Sequence, residues 1–485
     1  MSHAEEMELN PVLAIDQGTS GTKAIVVDPG VGVLSAIEVA LRPSYLPNGG
    51  VEQDPQQLLS SVLDAGRRAV AAAGCPVTAV ALANQGETVL AWDPVTGQPH
   101  SSAIVWQDRR SETVCVELHE QREWVAHRTG LVLDPYFSAP KMAWLRREVT
   151  GEGVVTTTDT WLVHQLAGEF VTDAATASRS LLMDLDAVAW DDELLELFRL
   201  GGERLPRIVT CDEPVGTTTA FGQTMTVGGL IVDQQAALLA EGCWEQGSAK
   251  CTFGTGAFLL ANTGTRAVRS SAGLTSSVAW RVGDRTPYCV DGQVYTAASA
   301  VRWLNDLGFI TDAAQMDSIA AEDAEGVLCV PALAGLAAPW WRPNATATFT
   351  GMTLSTRPEH LVLAVLQGIA AQVATLTDLI ETDVGMPLAR LRVDGGLTQC
   401  RTLMQATADL TQIPVDVYPS PHATALGAAA LALIAQQRQL TIEDAVMEWD
   451  PVTSYQPCWS PDRAIGFRDL WRTVASANLA AKNPA

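Results

Sequence analysis

The 485 residues are 47% hydrophobic and 18% charged, and 55 acidic side chains against 31 lysines and arginines leave a formal net charge of −24. This is the composition of a folded globular protein with room for two or three domains, and its acidity argues against nucleic acid or an anionic membrane as partner, because both require a basic footprint. Nine cysteines are scattered singly from Cys75 to Cys458 without a Cys-x-x-Cys, which speaks against a zinc site or disulfide scaffold and fits a reducing, cytoplasmic setting.

The chain opens on Met-Ser-His-Ala-Glu-Glu, too polar and acidic for a secretory signal. Two apolar, β-branched runs, 12–15 and 24–27, then flank a polar glycine turn, a pattern that predicts a tight β-hairpin. Asp16 closes the first strand, and the turn supplies Gly18, Thr19, Ser20, Gly21 and Lys23. Glycines there open backbone conformations in which successive N–H groups converge on an anion, which is chemistry for phosphate. A helix-opening phosphate loop is excluded, since no Gly-Lys dipeptide occurs anywhere. Taken alone, Asp-x-Gly-Thr also fits an ordinary surface hairpin.

Next comes Gly49-Gly-Val-Glu-Gln-Asp-Pro55, a turn into an amphipathic helix over 56–73. Apolar strands are predicted at 77–83, 89–92 and 103–106; the first ends in Asn84-Gln-Gly-Glu87 and the third in Trp106-Gln-Asp108. Strands alternating with helices imply an α/β lobe, in which ligands collect at strand ends. A second strand-glycine-strand unit spans 249–261 around Gly254-Thr-Gly256. The two units lie about 240 residues apart, which suggests two related lobes, joined at 241–247 just after Asp233-Gln-Gln-Ala236. Beyond the join we predict helices at 297–307 and 358–384 and a strand at 391–393 ending in Asp394-Gly-Gly396. The longest apolar run, 423–435, suits a buried helix and is too short to span a bilayer. Past Thr441 the periodicity fades, and residues 441–485 are expected as a tail packed on the surface. Lysine is scarce, with residues at 23, 141, 250 and 482 alone, and the first three fall inside the stretches singled out here.

Tyr136-Phe-Ser-Ala-Pro-Lys-Met-Ala-Trp-Leu-Arg-Arg-Glu148, together with the run from Ala347 through Gly351-Met352 and His360-Leu361 to Gln367, resembles the two signatures of the FGGY carbohydrate kinase family. Gly50-Val-Glu-Gln-Asp-Pro55, Leu133-Asp-Pro-Tyr-Phe137, Asp159-Thr-Trp-Leu162, Asp233-Gln-Gln-Ala-Ala-Leu238 and Arg392-Val-Asp-Gly-Gly396 are most similar to its glycerol kinase branch. The resemblance covers residues 11–440. It implies an α/β fold of two actin-like, ribonuclease H-like lobes about a catalytic cleft. Residues 11–241 would hold the acceptor and a phosphate loop, and 242–440 the nucleotide. The implied reaction is transfer from ATP, with Mg²⁺, to a primary hydroxyl of a small polyol or sugar, in a homo-oligomeric (dimer or tetramer) cytoplasmic enzyme.

By the same resemblance Asp233 is the general base, although its place before a helix also suits an N-cap. Asp16 organises the magnesium ion. Gly18, Thr19, Ser20 and Lys23 meet the phosphates from one side and Gly254, Thr255 and Gly256 from the other. Ala298, Arg302, Gly395, Gly396 and Cys400 surround the nucleoside, with Ala298, Arg302 and Cys400 departing from the residues common there. Glu87, Trp106, Tyr136, Asp233, Gln234 and Phe258 receive the acceptor. Gly86 stands where glycerol kinases carry an arginine, which leaves two expectations open: glycerol bound weakly, or a pocket enlarged for a tetritol or pentulose. A ketose kinase of the xylulose type and a non-catalytic nucleotide-binding sensor are the alternatives.

Overall fold

The computed structural model describes residues 10–480; the polar opening hexapeptide and Lys482 lie outside them. The predicted first hairpin is present as β1 (Val12–Gln17) and β2 (Gly21–Asp28), which continue into β3 (Gly32–Ala40). Asp54 then accepts from the Gln56 N–H and Pro55 fills the first position of helix α1 (Pro55–Ala73), the pairing that starts a helix without orphan donors. Strands β4 (Ala79–Asn84), β5 (Gly216–Thr218) and β6 (Met225–Val232) complete a six-stranded sheet in the order β5-β6-β4-β1-β2-β3. Three antiparallel strands and two parallel ones reached by crossovers make its centre, with β1 parallel to β4 and β4 to β6. Helix α2 (Asp233–Ala240) follows directly from β6.

The pattern then recurs. Strands β7 (Ala249–Phe253), β8 (Ala257–Gly264), β9 (Thr275–Val278), β10 (Tyr288–Val294), β11 (Leu391–Asp394), β12 (Val415–Val417) and β13 (Ser454–Tyr455) form a second sheet ordered β9-β10-β8-β7-β11-β12-β13. Here β7 pairs antiparallel with β8 and parallel with β11, as β1 does with β2 and β4. The two hairpins therefore occupy the same place in two sheets of like topology, the architecture of paired ribonuclease H-like lobes.

Among the helices of the second half are α3 (Ala298–Asp306), α4 (Pro358–Val384), α5 (Arg401–Thr411), α6 (Ala423–Gln436) and α7 (Pro461–Ala480). By length and composition α4 could cross a membrane, but its apolar window is 94% buried, so it is the core helix of the second lobe. Although α6 follows the second sheet in sequence, it packs with α2 against the first one, in a cluster with Val12, Ala79, Ile231 and Leu238. The contact is closest where Gly427 meets α2, since a Cβ there would lie 1.9 Å from the Ala236 carbonyl oxygen. A cut at 241/242 thus does not separate the two cores. The tail is more ordered than its weak periodicity suggests: β13 adds an edge strand, and Trp471 of α7 is fully buried with its ring N–H on the Cys329 carbonyl.

Candidate active site

The first hairpin brings Asp16 opposite Lys23 and closes with a Gly18 N–H to Gly21 carbonyl bond of 2.9 Å. Neither glycine takes a left-handed φ. Gly21 is instead required by close approach, because a Cβ there would stand 3.0 Å from the Val39 carbonyl oxygen. The Thr19 hydroxyl is committed sideways: it accepts from Trp106 Nε1 and donates to Gln85 Oε1, both at 2.9 Å. Gln85 in turn donates to Gln53, whose own amide holds the Thr19 carbonyl. The expected phosphate contact of Thr19 is thus left to its backbone, and Gln85 serves as a brace.

On the opposite lobe the backbone N–H groups of Ala297 and Ala298 and the Ser299 hydroxyl donate to the Thr255 and Gly254 carbonyls at 2.9–3.0 Å. The N-terminus of α3 thereby fixes the Gly254-Thr255-Gly256 turn. Gly256 admits no side chain, since its Cβ would lie 2.4 Å from the Val294 carbonyl oxygen, and Gly395, at φ +95°, comes equally close to Phe253. Gly396 opens a short helical turn beside it. Arg302 projects from α3 as an exposed side chain. Cys400 is buried against Asp317, where burial pushes its thiol up to about 12.

Between these hairpins lies a narrow cavity walled by Glu87, Tyr136, Arg179, Asp233, Gln234 and Phe258. Its free volume of about 20 Å³ is room for one ordered water. Asp233 is the first residue of α2; the cap position belongs to Val232, which offers no side-chain bond, so the capping role does not explain the aspartate. Among the described residues its Oδ1 accepts only from the neighbouring Gln234 N–H, at 2.6 Å. Burial, reinforced by the Asp16 and Glu87 carboxylates and opposed by Lys250, raises its carboxyl to about 7. Asp16 is raised to about 6, again mainly by burial, with Lys23 opposing and Glu38 and Asp394 adding to the rise. The fields of Asp16, Asp394 and Asp233 thus overlap at the meeting of the two lobes.

Glu87 sits at the apex of a three-residue turn, with φ +60° and a 2.7 Å bond from the Thr88 N–H to the Gly86 carbonyl. That turn is rare and strained for a residue with a side chain, and strain of this kind gathers at functional sites. Trp106 stands one layer back, edge-on to Tyr136 at 5.4 Å and to Phe258 at 6.3 Å. Gly86 opens no room: a Cβ there would lie 2.9 Å from Val232 Cγ2.

Two family models match the chain: the N-terminal domain of the FGGY family of carbohydrate kinases over residues 11–240, and the C-terminal domain of that family over residues 249–436. The chain belongs to the FGGY family of carbohydrate kinases. It is 42% identical to a glycerol kinase of Alkalilimnicola ehrlichii, over 87% of this chain and 90% of that protein. With a glycerol kinase of Bordetella parapertussis it shares 39% over 98% of both. Among solved structures, the Plasmodium falciparum glycerol kinase with ADP superposes with a TM-score of 0.90 at 29% identity, covering 97% of this chain and 98% of that one. A xylulose kinase from Lactobacillus acidophilus, at 18% identity and TM-score 0.89, shares the fold.

In this FGGY kinase the residues that sequence reading did not single out include the cation of the cavity. Arg179 is 5% exposed and bridges Glu87, at 2.6 Å through Nε, to Asp291 on β10, at 2.7 Å through Nη1. One guanidinium therefore ties the Glu87 wall of the cavity to the second sheet. Arg179 follows the five-residue helix Ala174–Ser178, in a stretch whose Ser-Arg-Ser carries no spacing signal; only the three-dimensional meeting of distant carboxylates reveals it. For a metal, no three His, Cys, Asp or Glu side chains converge among the described residues. A magnesium ion held by one carboxylate, waters and phosphate oxygens needs no such cage, and Asp16, with the unpartnered Asp394 Oδ1 nearby, fits that kind of seat.

Proposed function

We propose that this FGGY kinase transfers the γ-phosphoryl group of ATP to a primary hydroxyl of a three-carbon polyol of the glycerol type. The observation that carries this reading is Asp233: a partly enclosed carboxylate whose one hydrogen bond among the described residues is local, bordering a narrow cavity walled by the polar groups of Glu87, Tyr136, Arg179 and Gln234. A general base works best with its pKa near the operating pH, and burial beside Asp16 and Glu87 supports that for Asp233. Asp233 would take the hydroxyl proton as the oxygen attacks phosphorus, while Glu87, Tyr136 and Gln234 orient the remaining hydroxyls and Phe258 packs on the carbon chain.

The hairpin bearing Gly18, Thr19, Ser20 and Lys23 and the turn at Gly254, Thr255 and Gly256 are positioned to hold the phosphates, since transfer of this type depends mostly on placement and charge neutralisation. Bound Mg²⁺, seated at Asp16 through water, would supply that neutralisation. Residues 11–241 would carry most of the acceptor side, with Phe258 joining from the other half, and 242–440 the nucleotide side, with Ala298, Arg302, Gly395, Gly396 and Cys400 about the nucleoside. All nine cysteines are free thiols, which supports a cytoplasmic setting.

Val232 favours the small acceptor over the enlarged pocket, because its methyl fills the space beside Gly86. A kcat/KM panel over glycerol, tetritols, pentitols and ketoses tests the reading. Glycerol or another three-carbon acceptor leading by tenfold or more is expected, and a tetritol or pentulose in that place would refute it.

A further inference from the structure

Lys250 is a buried cation that the mechanism above leaves unused. It lies on β7, is 0% exposed, and directs its ammonium to two acceptors, Gln234 Oε1 and Thr252 Oγ1, each at 2.6 Å. Gln234 belongs to α2 and lines the acceptor cavity. An amide side chain has two faces of like shape, one accepting and one donating, and only its partners decide which way it points. An ammonium can only donate. With Oε1 held by Lys250, the Gln234 NH₂ group is the face left for the cavity, and no hydrogen bond from it competes among the described residues.

We propose that Lys250 is a positioning residue for acceptor recognition: it locks the Gln234 amide so that its N–H donors are presented to an oxygen of the bound polyol. The proposal rests on the acceptor site described above and adds a division of labour to it. Glu87 and Asp233 accept hydroxyl protons, so a hydroxyl bound by either must offer its lone pairs elsewhere. Within the cavity wall Gln234 adds a complementary donor beside Arg179 and Tyr136, and without the lock its oxygen could turn inward and add a third acceptor where a donor is needed. The lock crosses between elements of the two sheets, since β7 belongs to the second and α2 follows the last strand of the first. Asp233 and Glu241 also lie within the field of Lys250, so its charge has an electrostatic role as well, and the test must tell the two apart.

Glycerol and ATP kinetics of the wild type, Lys250→Met, Lys250→Gln, Gln234→Ala and the Lys250→Met/Gln234→Ala pair make that separation. Loss of one neutral hydrogen bond corresponds to a change of roughly threefold to tenfold. Lys250→Met should raise the glycerol KM by that factor with the ATP KM within twofold. In the Gln234→Ala background the same substitution should add less than twofold, because the amide through which it acts is gone. Lys250→Gln, uncharged but still able to donate to Oε1, should restore most of the glycerol KM. Equal effects of Lys250→Met in both backgrounds, or Lys250→Gln no better than Lys250→Met, would overturn the proposal in favour of a purely electrostatic or structural role. If Lys250→Met fails to fold, Lys250→Gln and Lys250→Arg in both backgrounds carry the cycle. Calorimetric glycerol binding repeats it without turnover, so that a wild type that binds glycerol yet transfers nothing counts against the proposed function and not against Lys250.

Discussion

Replacing Arg179 with methionine removes the cation shared by Glu87 and Asp291 and leaves two buried carboxylates without their partner. Breaking a buried pair from one side costs about 3–5 kcal/mol, because the partner charge stays buried without compensation. Here the loss should depend on pH in a defined direction. The Glu87 carboxyl already lies above its ordinary value because burial outweighs the pull of Arg179; without the guanidinium it must rise further. A carboxyl raised in the folded state stabilises the fold at low pH and loses that contribution as pH rises through its folded value. The variant should therefore be destabilised most in mildly alkaline solution and recover part of the loss in acidic solution, as Glu87 takes up a proton. Denaturant midpoints of wild type and Arg179→Met at the two pH values measure this. Arg179→Lys should fall between them, because a single ammonium cannot reproduce the fork that reaches Glu87 and Asp291 at 2.6 and 2.7 Å. An equal loss at both pH values, or one below about 1 kcal/mol, would refute the account of the cavity as a charge-balanced site.

Two further substitutions probe the same cavity. Gly86→Arg should cost about 1–3 kcal/mol through overpacking and depress acceptor kcat/KM, since its Cβ would meet Val232 Cγ2 at 2.9 Å; adding Val232→Ala should recover both quantities, as thermal melts and kinetics would show. Asp233→Asn should lower kcat by about 10²–10⁴-fold and abolish the acid limb near pH 7 expected of the wild-type rate as Asp233 loses its proton. The Asp233 carboxyl is raised from 3.8 to about 7 in the fold, so wild-type stability should decline as pH climbs across that interval. The asparagine variant should lack that decline and be the more stable protein near pH 8.

The elements with strong periodicity were legible from residues alone. The β1–β2 and β7–β8 hairpins, the amphipathic α1 and the full extent of α4 carry apolar spacing that leaves little choice of conformation. The repeat of strand, glycine turn and strand also announced two sheets of one topology. What spacing could not convey was the meeting of distant side chains. Arg179 and Asp291 are 112 positions apart, and nothing in either neighbourhood marks it as part of a cavity. Gly18 and Gly21 were read for φ freedom that they do not use, because sequence cannot distinguish a residue that needs an unusual dihedral from one crowded by a neighbouring carbonyl. Val232 was equally silent: an apolar residue ending a strand looks like core until the position of Gly86 beside it is known. Helix α7 escaped notice because its anchorage mixes one tryptophan and small or scattered apolar contacts (Ala464, Phe467, Val474, Ala475) with ion pairs from Arg468 and Arg472 to Asp378, which leave no clean apolar period.

The commitment of the Thr19 hydroxyl to both Trp106 and Gln85 has an evolutionary corollary. A residue that serves the donor half of a reaction with its backbone and the acceptor half with its side chain cannot be exchanged to suit one half alone. Drift in what the enzyme phosphorylates should accordingly proceed through positions such as Val232, which lines the cavity, and Gly86, which abuts it, neither of them joined to the Thr19 hydroxyl.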